Sequence, residues 1–217
     1  MNNYYTNNYP IINVYKKTSL KSEIVTQMIY GESFKIINEL SQWMKIRIKE
    51  DGYTGYLKKR KFNSYLEPTH KISVLYSNIY KNSNFKKKVG KLSYASKIKV
   101  EKINGRFAKF QNKWIETKNI KPIKFKNKNF FKDIKKFIGV KYKWGGKTFA
   151  GIDCSALIQV CLNFNNKSFP RDTGQQINFL KKKINLKNIK KNNIIYWKGH
   201  VALALSDKKL IHAYGPR

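Results

Sequence analysis

Between Ile11 and Leu57 the chain is a succession of short β-prone runs cut by turn residues, and that rhythm leaves few folds open. Residues 23–29, 33–38, 43–48 and 53–57 are rich in β-branched and aromatic side chains and too short for stable helices. Gly31-Glu32, residues 39–42 and Asp51-Gly52 separate them and read as turns. Strands this short must close on one another to bury a face, which predicts a small all-β barrel. A weaker copy runs from Ile72 to Ile120. A shift of 64 lays Tyr30-Gly31-Glu32-Ser33-Phe34 over Tyr94-Ala95-Ser96-Lys97-Ile98, and Trp43-Met44-Lys45-Ile46 over Phe107-Ala108-Lys109-Phe110. Two tandem barrels are expected, over residues 1–66 and 67–123, joined near Glu67-Pro68-Thr69, with Pro122 at the end of the second.

The pattern changes near Lys124. Phe130, Phe131, Ile134, Phe137 and Ile138 recur at helical spacing and predict an amphipathic helix that Gly139 ends. A second helix is expected from Cys154, with Leu157, Ile158, Cys161 and Leu162 on its buried face. Residues 194–197, 201–205 and 210–213 then read as strands. A helix followed by strands makes residues 124–217 an α+β unit behind the two barrels.

Charge is the loudest feature of the composition: 46 Lys+Arg against 12 Asp+Glu give a formal net charge of +34. Such a balance raises nucleic acid, an anionic membrane or an acidic substrate as partners. Only five of the 46 are Arg, however, and the lysines run along the whole chain beside many Asn and Ile residues. Phosphate readers tend to cluster arginine with aromatics, so a coding bias with a solvated basic surface is favoured over a specific nucleic-acid site. No apolar run approaches the ~18 residues that span a bilayer. Met1-Asn2-Asn3-Tyr4-Tyr5-Thr6 lacks the basic start and apolar stretch of a secretory signal. A cytoplasmic location with no membrane partner is therefore expected. Cys154 and Cys161 stand about 10 Å apart along one helix, beyond disulfide reach, so two free thiols are expected in a reducing compartment.

The chemistry concentrates around Gly145-Gly146-Lys147-Thr148-Phe149-Ala150-Gly151-Ile152-Asp153-Cys154-Ser155. A Gly-rich loop delivers Cys154 to the first turn of an apolar helix, where unpaired N–H groups and the helix dipole favour the thiolate. The backbone N–H of Cys154 is also placed to bind the oxyanion of acyl transfer. Cys161, two turns on, reads as a core residue. His200 and His212 fall in one expected hairpin. A turn centred near Ser206 would set them directly opposite each other, with Cβ atoms ~5 Å apart. His200 can then take the thiol proton while His212 orients it through the other ring nitrogen. Two histidines and a cysteine could instead bind zinc, although the paired, closely spaced Cys ligands of structural zinc sites are missing. His70, in the linker, reads as a surface residue.

These residues resemble the NlpC-type cell-wall cysteine peptidases, a papain-like family. Tyr142-Lys143-Trp144-Gly145-Gly146 and the run from Gly151 to Gln159 are similar to that family's nucleophile segment. Phe169-Pro170-Arg171-Asp172-Thr173 resembles its substrate-side loop, Trp197-Lys198-Gly199-His200-Val201-Ala202-Leu203 its base strand, and Leu210-Ile211-His212-Ala213 the strand of its third catalytic residue. Val25-Thr26-Gln27-Met28-Ile29-Tyr30-Gly31-Glu32 and Asp51-Gly52-Tyr53-Thr54-Gly55-Tyr56 resemble a bacterial SH3 domain of the dipeptidyl-peptidase VI-like subgroup. The resemblance implies an α+β papain-like peptidase domain preceded by two small all-β SH3-like barrels.

It further implies hydrolysis of the γ-D-glutamyl bond to a diamino acid in peptidoglycan stem peptides with a free N-terminal L-Ala, as in muropeptide recycling. Cys154, His200 and His212 would be catalytic, and no metal or organic cofactor is implied. Glu32, Tyr53 and Asp153 would meet the L-Ala amine, Ser155, Asp172 and Thr173 the D-Glu part, and Tyr142 would sit beside the oxyanion. Arg171 fits either the substrate or a structural ion pair. The second repeat has Ser96 where the first has Glu32, so the fold itself does not require an acid there.

Two departures from the family stand out. Asn192-Asn193 replaces the common Gly-Asp turn before the base strand, and Arg217 follows His212 by only five residues where relatives continue into further strand. The domain is then either truncated or minimal. Two other readings stay open: a secreted wall hydrolase, and a protein whose basic barrels grip nucleic acid or anionic wall polymer beside a vestigial peptidase. The intact Cys154, His200 and His212 set speaks against the last.

Overall fold

The computed structural model describes residues 4–82, 86–180 and 182–215. Met1-Asn2-Asn3 and Arg217, which entered the sequence reading, lie outside the described residues. Alternation builds the first unit. Along Trp43–Ile48, Met44, Ile46 and Ile48 are buried while Trp43, Lys45 and Arg47 are not, a period of two. Seven strands form one antiparallel sheet in the order Ile24–Ile29, Ile11–Tyr15, Thr54–Lys58, Trp43–Ile48, Ser33–Leu40, Tyr5–Thr6, Asn63–Ser64. Bulges at Val14/Tyr15 and Ile36/Asn38 bend it around a core of Ile12, Val14, Met28, Phe34, Met44, Ile46, Ile48 and Leu57.

The second unit holds a five-stranded and a three-stranded sheet around Ile72, Ile79, Leu92, Ile98, Ala108, Phe110, Ile115 and Ile120. His70 begins one of its strands and is only partly exposed. The units are welded together. Tyr30 of the first enters the core of the second, and a Cβ added at Gly31 would lie 2.0 Å from the Lys97 carbonyl oxygen. That turn, with Gly31 at φ +82°, tolerates glycine alone.

The helix expected over residues 130–138 does not form. A chain of tight i→i+3 turns replaces it, from Lys132 N–H on Asn129 C=O to Val140 N–H on Phe137 C=O, with a 3₁₀ segment at Ile134–Phe137. The Asn129 side chain accepts from the Phe131 N–H, a local bond that competes with helix. Ile134 and Phe137 are still buried against the central helix, so the apolar spacing served packing without a regular α turn.

That central helix, α1 (Cys154–Phe164), is buried at every position but Asn163. Buried all round, it is a core helix rather than a surface one. Its last carbonyl, that of Phe164, accepts from the buried Lys71 ammonium, which also donates at 2.6 Å to Phe125 C=O outside the helix. A short helix, α2 (Thr173–Phe179), follows the loop at Phe169. The strands Ile194–Trp197, His200–Ala204 and Leu210–Ile211 then form an antiparallel sheet that packs on α1. Among the described residues, no helix is long and apolar enough to cross a membrane.

Candidate active site

The approach to Cys154 is built by a two-stranded hairpin, Lys147–Thr148 against Gly151–Ile152, which stops one residue short of the helix cap. Asp153 is that cap. Its Oδ1 accepts from the Ala156 N–H at 2.8 Å, the Ser155 hydroxyl at 3.1 Å and Arg171 Nη1 at 3.0 Å. Its Oδ2 accepts from the Gly145 N–H at 3.0 Å and Arg171 Nη2 at 2.5 Å. Arg171 is buried, and its Nε donates to Thr26 Oγ1 of the first unit at 2.8 Å. Of the two roles open to Arg171, the ion pair is the one this geometry describes. Burial works against its charge, and the Asp153 carboxylate outweighs that, pushing its pKa up.

Cys154 begins α1 with its backbone N–H unclaimed by the helix. Burial pushes its thiol above the ordinary value, against the N–H groups of Val201, Ser155 and Cys154 itself, which favour the thiolate. The helix start alone therefore does not deliver the lowered thiol that the sequence suggested; ionisation needs a base. His200 is adjacent to Val201, and its Nε2 lies 2.8 Å from His212 Nδ1. His200 thus meets His212 through Nε2, and Nδ1 is its other ring nitrogen.

The histidines are not directly opposite, as the expected turn would have it. Leu203 pairs with Ile211 and Ala204 with Leu210, so the hairpin is centred one residue later and the rings meet on the diagonal. Among the described residues, no group of three His, Cys, Asp or Glu side chains is gathered to hold a metal.

A cavity of about 630 Å³ opens beside the sulfur. Of the residues the sequence singled out, Cys154, Tyr53, Tyr142, Asp153, Ser155, Asp172 and Thr173 line it. The Tyr53 hydroxyl donates to Asp172 Oδ2 at 3.0 Å, tying the first unit to the loop before α2. Burial raises the Asp172 carboxyl, against Tyr53 and Arg171, which lower it.

His200 and His212 line a neighbouring cavity, and of the residues assigned to the substrate only Glu32 is missing from the lining. It is 2% exposed, lies outside the cavity lining, accepts from the Ile29 N–H at 2.9 Å and pairs with Lys147 Nζ at 2.6 Å. An internal ammonium occupies the place the sequence reading gave to the substrate's amine. The acid that the first unit does present to the cavity is Glu23, whose Oε1 accepts from Trp144 Nε1 at 2.9 Å and whose Oε2 pairs with Lys16 at 2.9 Å. Sequence reasoning absorbed Glu23 into a strand that in fact starts at Ile24. Its place beside Ser22, in a turn, was the available signal.

The seat of the loop is equally specific. Gly145, at φ +69°, lies so close to the first unit that an added Cβ would meet the Ile24 carbonyl oxygen at 2.3 Å.

Residues 139–216 match the NlpC/P60 family and residues 14–62 the bacterial dipeptidyl-peptidase SH3 domain. The chain carries an NlpC/P60 domain behind a bacterial SH3 domain. Dipeptidyl-peptidase 6 of Lysinibacillus sphaericus is 24% identical over 93% of this chain and 84% of its own length. The gamma-D-glutamyl-L-lysine dipeptidyl-peptidase of Bacillus subtilis (strain 168) is 27% identical over 88% of this chain and 72% of its own. The crystal structure of an NlpC/P60 family protein from Bacillus cereus ATCC 10987 superposes with a TM-score of 0.83 at 16% identity, covering 96% of this chain and 90% of that one, a likeness of fold.

With Cys154 at its helix start, the NlpC/P60 domain makes this protein a cysteine-type peptidase. Of the two SH3 domains expected, one is matched. The SH3 match ends at residue 62, and the second unit stands as a two-sheet β structure with its own core.

Proposed function

We propose that the protein hydrolyses the γ-D-glutamyl bond to the diamino acid of peptidoglycan stem peptides that begin with a free L-Ala amine, recycling such fragments in the cytoplasm. One observation carries the reading: the SH3 domain walls the cavity beside Cys154, and an anionic side chain, Glu23, stands in that wall. Hydrogen bonds from Lys16 and Trp144 hold the Glu23 carboxyl below its usual range, so it is ionised at neutral pH. An ammonium entering from the dipeptide's first residue competes with Lys16 for it, while Asp172 and Tyr53 line the path toward the sulfur.

In this reading His200 takes the Cys154 proton as Sγ attacks the γ-carbonyl carbon of D-Glu. The oxyanion meets the Cys154 N–H, with Tyr142 on the same cavity wall. The C–N bond breaks as the imidazolium returns its proton to the departing amine. Water, deprotonated by His200, then cleaves the thioester. The family names of the relatives support the same bond class.

The test is kcat/KM on L-Ala-γ-D-Glu-diamino-acid against its N-acetylated form. Glu23 is partly solvated, so a preference of about tenfold for the free amine is expected, shrinking in Glu23→Gln. Equal rates on both peptides would remove the dipeptidyl assignment.

A further inference from the structure

A second cavity, of about 670 Å³, is lined by both His200 and His212. It shares Tyr142, Trp144 and Gly199 with the first. If the first cavity holds the acyl dipeptide, the second receives the departing diamino acid, and its lining has a definite chemistry. Its walls are aromatic. Trp197 packs at 4.7 Å from the His200 ring and Tyr214 at 5.8 Å from the His212 ring, centroid to centroid. Flat apolar walls suit the methylene chain of a diamino acid.

Charge is one-sided. Among the described residues, Lys198 is the only basic side chain in the lining apart from the two imidazoles, and no carboxylate lines it. Lys198 makes no salt bridge to any described residue. Its position is fixed by the catalytic strand. Trp197 pairs with His200 across a two-residue turn of Lys198 and Gly199, with Gly199 at φ +70°.

We propose that Lys198 selects the third residue of the stem peptide, favouring a side chain that ends in a carboxylate as well as an amine over one that ends in an ammonium alone. Among the described residues, a lone ammonium brought into this cavity meets a like charge and no acid. A terminal carboxylate meets Lys198. This inference rests on the reaction proposed above and adds the leaving group's chemistry to it.

The experiment compares kcat/KM for L-Ala-γ-D-Glu-meso-diaminopimelate and L-Ala-γ-D-Glu-L-Lys, both with the third residue's α-carboxyl amidated so that only side-chain charge differs. The pair sits near solvent, so the diaminopimelate peptide is expected to be preferred by roughly fivefold. The preference should vanish in Lys198→Met and reverse in Lys198→Glu. The Glu variant's gain on the L-Lys peptide guards against a merely damaged fold. Equal rates on both peptides, unmoved by Lys198→Glu, would overturn this inference and leave the reaction standing. Cleavage of neither peptide by the wild-type enzyme would overturn the reaction, and this inference with it.

Discussion

Glu32 of the SH3 domain and Lys147 of the hairpin before the nucleophile form an ion pair of 2.6 Å whose side chains are 3% and 0% exposed. A pair this deep contributes little net stability while intact, but removing one partner strands the other. Lys147→Met should cost roughly 3–5 kcal/mol in urea unfolding, and Glu32→Gln combined with Lys147→Met should recover much of it. Burial already pushes the Glu32 carboxyl up, opposed by Lys147. Without the lysine the carboxyl rises further. A raised folded pKa means stability is kept below the ordinary 4.5 and lost as pH climbs through the folded value. The single variant's deficit should therefore widen from pH 4 to 7. A flat deficit would show that Glu32 does not sense Lys147.

His200 and His212 should separate in mutational cost. His200→Ala removes the base and should lower kcat about 10²–10⁴-fold. His212→Asn keeps a group that can hold the imidazole and should retain part of the activity. Equal losses from the two, measured at saturating substrate, would assign proton transfer to the pair rather than to His200.

The thiols should differ in reactivity. Cys161 is fully enclosed and its thiol is raised by burial, whereas Cys154 faces the cavity. Iodoacetamide should modify Cys154 at least about tenfold faster, and in His200→Ala the rate should keep climbing with pH beyond the ordinary thiol value, since burial holds Cys154 protonated. Equal modification of both residues, followed by peptide mass spectrometry, would contradict the site.

Lys71 gives a second pH signature, independent of catalysis. Burial brings its pKa from 10.5 down to about 8. A lowered folded pKa means the unfolded chain binds the proton more tightly. Stability is thus full above 10.5 and lost as pH falls through 8. Between those values wild type should gain on Lys71→Met by on the order of 3 kcal/mol. Parallel stability curves for the two proteins over that window would count against a strained Lys71.

How far the sequence could be read depended on whether a signal was local. The β-runs of the SH3 domain and the capped start of α1 are set by alternation and by Asp153-Cys154, and both are visible in a window of a few residues. The failure over residues 130–138 is of the opposite kind. Phe131 and Ile134 have helical spacing, yet the Asn129 side chain and the surface of α1 decide their backbone. Glu32 was misread for a longer-range reason: its partner lies 115 residues away, and no local pattern announces that an acid in a turn is already paired. The diagonal meeting of His200 and His212 hinged on a one-residue difference in turn centre, finer than sequence spacing resolves.

Gly145, pressed against the Ile24 carbonyl, ties the timing of activity to the order of synthesis. The ribosome releases the SH3 domain first, so the floor on which residues 143–147 settle exists before Cys154 is made. A nascent chain consequently has its nucleophile in place before its base, and waits for the strand His200–Ala204 to join the sheet.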